Sequence, residues 1–270
     1  MRRRRCCRAG LRVVCCVAAG FALWPSNGAA APPDQSEQTT SGTSTQPRPN
    51  PDFLFGRPKG FLGIRSGWLF ARPGSDLFNF VQDRLTIEGN DFNAPVLAVD
   101  LGFAAARRVD VLFGFAYSRA AINSEYRDFV DDNRLPIAQR TRLQQMNLTA
   151  SAKIALIPRG REVGKLAWIA RPVTPYVGAG AGLLRYQFDQ SGDFIDFVDL
   201  SIFQDALRSS GWTPSAHVFG GADIKLWRRV FLTAEARYHW AKAGLEQDFT
   251  GFDPIDLSGL NVTAGVNLLF

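Results

Sequence analysis

Beyond residue 16 the chain contains no cysteine; all four (Cys6, Cys7, Cys15 and Cys16) lie near its start. The remainder therefore has no disulfide frame, no thiolate nucleophile and no cysteine-based metal site. Histidine is nearly missing as well: the two present are His217 and His239. Nor does the apolar stretch Val13–Leu23 reach the ~20 residues that a helix needs to cross ~30 Å of hydrocarbon. An excess of one charge is missing too, once the start is set aside. The net charge of +6 comes from six arginines in residues 1–31, which hold no acid; the rest carries 25 basic and 25 acidic residues. A basic nucleic-acid-binding surface is not supported, and no nucleic-acid partner is expected.

What residues 1–31 do contain is ordered as a secretory leader. Arg2–Arg5 and Arg8 come first, then the apolar stretch, then Gly28, Ala29, Ala30 and Ala31. That sequence of positive, apolar and small residues is a signal peptide. Cleavage after Ala30 fits an A-x-A-like site, whereas cleavage after Ala31 would leave Pro32 first. A lipoprotein would need small residues before Cys15 or Cys16, where Val13 and Val14 stand. Residues 31–57 are rich in Pro, Ser, Thr, Gln and Asn, a composition that cannot bury a core and predicts a disordered periplasmic linker. The expected layout is a signal peptide over 1–30, this linker over 31–57 and a folded unit over 58–270, with no further domain after it.

Within that unit the dominant period is two, and eight segments alternate between an apolar and a small or polar parity. They begin near Gly60, Val96, Asp110, Leu143, Pro175, Ser215, Leu232 and Leu260. In the fourth, Met146, Leu148, Ala150, Ala152, Ile154 and Leu156 oppose Gln145, Asn147, Thr149, Ser151 and Lys153. The fifth slips near Leu184 and Arg185, where a bulge is expected. Long gaps (73–94, 119–142, 189–213, 246–256) alternate with shorter ones. Short helices are expected near Asp76–Asp83 and Leu200–Arg208. The fold class is all-β: an eight-stranded antiparallel up-and-down transmembrane β-barrel, long loops extracellular and both barrel ends periplasmic.

A soluble lipocalin-type barrel shares the strand count, and residue size separates the two. The interior of eight strands is just wide enough to be filled by side chains. The glycines (Gly63, Gly67, Gly114, Gly178, Gly180, Gly182) share a parity with the charges Arg65, Asp100, Lys153, Asp223, Lys225, Glu235 and Arg237. That face suits a cramped lumen, because Arg or Lys at the bilayer midplane costs about 2–4 kcal/mol on the lipid side. Phe70, Phe103, Tyr117, Trp240 and Phe270 end the apolar rows, as interfacial aromatics do. The seven charges read as a lumen network of satisfied pairs, or as the lining of a gated path. A turn at 227–229 would place His217 opposite His239 at the lumen mouth, though two histidines are an incomplete metal or catalytic site. Ser215, Asp205, Asp193 and His217 could be drawn together only on paper.

The run Pro175–Gly182 (Pro-Tyr-Val-Gly-Ala-Gly-Ala-Gly), the final segment Asn261–Phe270 and its terminal aromatic resemble the small outer-membrane barrel proteins of the OmpA/OmpW-like type. The resemblance covers about 58–270 and implies location in the cell outer membrane, with outer-membrane lipid as a partner. It further implies that Phe270 is read by the barrel-assembly machinery during biogenesis. It is weakly specific for activity, since members serve as structural proteins, adhesins, solute routes and lipid-modifying enzymes. The expected function is non-enzymatic: a structural, binding or adhesion role with a plugged polar lumen and no cofactor or metal. The alternatives are a narrow transport route for small or apolar solutes, and a lipid-modifying enzyme. Loops that combine Asp with Phe, starting at Asp76, Tyr126, Asp193 and Asp248, either pack on one another over the mouth or bind an extracellular ligand or partner, or Ca²⁺ between carboxylates, though without EF-hand spacing.

Overall fold

The computed structural model describes residues 53–270 apart from 132, 165–166 and 197. The expected signal peptide and most of the expected linker lie outside the described residues. Eight strands form the barrel: β1 (Gly60–Ala71), β2 (Ala94–Ala104), β3 (Val109–Val130), β4 (Pro136–Ala155), β5 (Val173–Ile195), β6 (Ile202–Lys225), β7 (Val230–Ala243) and β8 (Gly259–Leu269). Each pairs antiparallel with its sequence neighbours. β8 then pairs with β1, from Gly259 opposite Ala71 to Leu269 opposite Phe61, which closes the barrel.

The outside is apolar where the sequence period demanded it. Ile64, Leu97, Phe113, Leu148, Leu183 and Val218 are all exposed, whereas Arg65, Asp100, Lys153 and Glu235 are buried in the lumen. The outward apolar row from Met146 of β4 to Leu156, one residue past its end, spans about 25 Å once the tilt of barrel strands is allowed for, the height of a lipid-facing band. A water-soluble barrel would show the reverse, so the exterior is that of a membrane-spanning barrel.

Four strands run further than their apolar rows suggest. β3 reaches Val130 and β4 starts at Pro136, so the expected gap 119–142 shrinks to a loop over 131–135. β5 and β6 likewise extend to Ile195 and from Ile202, and the helix expected over Leu200–Arg208 is mostly strand instead. No bulge occurs at Leu184 and Arg185: both remain in register, opposite Asn147 and Met146. The parity does not slip; the chemistry of the two faces exchanges. Below this level the outside is apolar and the lumen carries the charged and polar side chains, with Phe61, Leu112 and Phe219 buried beside them. Above it Leu184, Tyr186 and Phe188 turn inward while Arg185, Gln187 and Asp189 turn outward. That is what a barrel does when its surroundings change from lipid to water. The register does shift between Glu125 and Val130 of β3.

The two rims differ. At the turn rim β2–β3 and β6–β7 are joined by tight turns. The third connection, Pro158–Pro172, contains a small hairpin of Gly160–Val163 and Ala167–Ala170. Leu54 and Phe55, at the end of the stretch expected to be linker, pair with Trp168 and Ala167 of this hairpin. At the loop rim the connection after β1 carries helix α1 (Asp76–Arg84), as expected over Asp76–Asp83, which buries Leu77, Phe78 and Val81 at helical spacing.

Phe270 sits on the outer face, 53% exposed. Its backbone N–H donates to Gly60 (3.0 Å) and its carbonyl accepts from Lys59 (2.9 Å) and Gly60 (3.1 Å). Phe270→Ser keeps those backbone bonds and removes the interfacial ring. We expect a several-fold lower yield of the folded, heat-modifiable band on unheated gels after insertion; an unchanged yield would rule out a role for the ring.

Candidate functional site

The lumen holds the polar groups that the alternating strands turn inward, and Arg65 of β1 is their hub. Its guanidinium meets Asp100 of β2 (Nη2–Oδ2 2.5 Å, Nε–Oδ2 2.8 Å), Glu235 of β7 (Nη1–Oε1 2.5 Å) and the Thr263 hydroxyl of β8 (3.0 Å). Arg237 joins from the next inward position on β7, with Nε 3.0 Å from Glu235 Oε1 and its guanidinium 4.6 Å from the Phe219 ring centroid. A second pair lies nearer the turn rim, where Lys153 Nζ meets Asp223 Oδ2 at 2.7 Å. Lys153 also lies 3.7 Å from the Tyr176 ring centroid, a cation–π contact. Asn267 donates to the other Asp223 oxygen at 3.3 Å.

Tyr176 links the two groups. Its hydroxyl donates to Glu235 Oε2 at 3.0 Å and lies 3.1 Å from the Thr233 hydroxyl. Glycine makes this possible: a Cβ at Gly221 would stand 2.7 Å from the Tyr176 oxygen. The room that Gly221 leaves opposite Glu235 is thus filled by a tyrosine from β5. Six of the seven expected charges fall into these two groups, and Lys225 lies beyond Asp223 towards the turn rim. Tyr176, Thr263 and Asn267 were missed by sequence reasoning focused on charge; their signal was the inward parity that they share with the glycines. A gap of about 20 Å³, the size of one water, lies between Arg65, Asp100, Arg237 and Asn261.

The histidines face each other, His217 opposite His239, as the turn predicted. Neither stands open at a mouth: they are 1% and 3% exposed. His217 Nε2 lies 2.8 Å from the Ser151 hydroxyl. His239 Nε2 lies 2.9 Å from the Leu257 carbonyl, so this nitrogen carries the proton, and Nδ1 accepts from the Asn261 amide at 3.4 Å. The set drawn on paper does not assemble. Ser215 donates to Asn147 (3.1 Å), while Asp193 and Asp205 lie far up β5 and β6 opposite Gln204 and Gly192. No group of three or more His, Cys, Asp or Glu that could hold a metal ion is found among the described residues.

Above the histidines the lumen turns apolar. Phe78 and Phe92 from the first loop, Phe188 of β5 and Phe249 from the last loop pack edge to face, with centroids 4.7 Å (Phe78–Phe92), 6.4 Å (Phe78–Phe188) and 5.2 Å (Phe188–Phe249) apart. Leu77, Val81, Leu143, Leu184, Tyr186 and Ile255 complete this cap. Of the Asp/Phe-loop phenylalanines, Phe78 and Phe249 belong to this cap, while acids such as Asp248 and Asp253 remain exposed. Phe80 and Phe252 form a pair further out, 5.6 Å apart.

No family model and no curated protein matches the sequence. Among solved structures, neisserial surface protein A is 14% identical over 78% of this chain and 97% of its own, with a TM-score of 0.46. The attachment invasion locus protein of Yersinia pestis is 14% identical over 78% and 99%, with a TM-score of 0.39. Outer membrane protein W of E. coli is 13% identical over 79% and 98%, with a TM-score of 0.33. No residue role is carried over from any of them.

Proposed function

We propose that this chain is a non-enzymatic outer-membrane barrel with a structural or binding role, its lumen closed to bulk solutes and its long loops outside the cell. What carries the reading is the pairing of two different barriers along one axis. The Arg65 network fills the mid-lumen with partnered charge, and the phenylalanine cap fills the loop end with an apolar core. An ion would have to displace the first and desolvate through the second, each at a cost of several kcal/mol. The Ser151–His217 pair argues against chemistry, because both residues are buried and, among the described residues, His217 Nδ1 has no hydrogen-bond partner.

The test is conductance in planar bilayers. The wild type is expected to give no steady current across a range of voltages. Open-pore currents from the wild type would overturn the closed-lumen reading and make a narrow solute route the leading one.

A further inference from the structure

The equal number of basic and acidic residues hides a separation along the barrel axis. Among the described residues, the turn-rim segments 53–59, 105–109, 156–172 and 226–229 carry nine Lys or Arg and one acid, Glu162. The loop-rim segments 72–93, 131–135, 196–201 and 244–258 carry eleven acids and three arginines. The basic charge is not spread evenly over its rim. Arg57, Arg107, Arg108 and Arg159 line one cleft of about 380 Å³, together with Glu162 and Trp168.

We propose that this cleft binds the phosphate of an anionic phospholipid headgroup in the leaflet that the turn rim meets. The proposal rests on the membrane reading above. Four guanidinium groups against two carboxylates, Glu162 in the cleft and Asp110 behind Arg159, leave the cleft net positive. Arg159 is met by Asp110 (2.7 Å), and its buried Nε and Nη2 make no hydrogen bond. Arg57 is anchored by donating to the Ala106 carbonyl at 2.6 Å. Its guanidinium is held below the usual arginine range, first by burial and next by Arg159, a sign of crowded like charge. Planar guanidinium groups match phosphate oxygens in bidentate fashion.

Depth selects the source of the phosphate. Arg107 and Arg108 stand in the turn between the lipid-facing Phe103 and Val111, 44% and 38% exposed. The cleft therefore lies just outside the apolar band, where headgroups are. Trp227 and Phe55, 74% and 86% exposed, stand on the same rim as interfacial anchors do. A zwitterionic headgroup brings its own cation to the arginines, so an anionic headgroup is preferred.

The full mature chain in nanodiscs of equal phosphatidylglycerol and phosphatidylcholine, read by native mass spectrometry, tests this. The wild type should retain phosphatidylglycerol over phosphatidylcholine, and Arg107→Gln/Arg108→Gln should cut that preference about tenfold. Both substituted residues are exposed turn positions, and a heat-modifiable band will show that the variant is folded. No preference in the wild type, or an equal preference in the variant, overturns the proposal. A second arm offers inorganic phosphate to the protein in phosphatidylcholine nanodiscs. Phosphorus line broadening that vanishes in the variant, without any lipid preference, would assign the cleft to a soluble phosphate and overturn the lipid source. A wild type that fails to enter nanodiscs would instead overturn the membrane reading, and this one with it.

Discussion

Arg65→Ala will destabilise the barrel by about 3–5 kcal/mol, the cost of removing one partner from a buried ion network. Two acids depend on this guanidinium, and they fare differently without it. Glu235 keeps Arg237 and the Tyr176 hydroxyl, whereas Asp100 loses the ion pair that holds it. Arg237→Ala should therefore be milder, since Glu235 then keeps Arg65. Urea unfolding of the three proteins in the same detergent gives the ranking: wild type above Arg237→Ala above Arg65→Ala. Removing the stranded acid as well, in Arg65→Ala/Asp100→Ala, should recover part of the loss. Equal midpoints for the two single variants would show that Arg65 is not the hub.

Phe188→Ala should have a comparable effect, about 3–5 kcal/mol, by a different route. The ring is fully buried where β5 has left the apolar band, and it touches phenylalanines from two separate loops. Truncation opens a cavity at the point where the α1 loop and the last loop are joined. The ladder bonds of β5 remain, so the barrel should persist while the cap loosens. Limited proteolysis is expected to cut faster within 72–93 and 244–258, with the barrel still heat-modifiable. Unchanged cleavage of both loops would mean that the cap is held by something other than this ring.

The strands were legible because one physical rule, period two, governs every one of them. The same rule fixed the pairing of β6 with β7, so that His217 met His239 and Glu235 met Gly221 in the structure. What escaped is where that rule changes sign. At Leu184 and Arg185 the parity holds, but an apolar residue now faces inward and a charge outward, so equating apolar with outward makes the pattern look broken and suggests a bulge. For the same reason 119–142 and 189–213 read as loops: their outward residues are polar because water, not lipid, covers them. The mid-lumen network was legible as a set of charges and illegible as a set of bonds. That Arg65 takes both Asp100 and Glu235 depends on which strands curl to face each other. The turn-rim arginines were hidden by a sum, since 25 against 25 says nothing of where each sign lies.

The seam between β8 and β1 has a consequence for the order of events in folding. Leu62 pairs with Leu268, and Ser66 with Ala264, so this ladder joins residues about 200 positions apart and carries the greatest loop-closure cost in the barrel. Every other barrel ladder joins strands that are adjacent in sequence. Until β8 pairs with it, the edge of β1 has no partner of its own chain and offers a row of open backbone donors and acceptors. Closure is therefore the pairing expected to form last. During the interval the chain must be kept from pairing with another copy through that edge, and the step that ends its exposure to aggregation is also the step that completes the lumen.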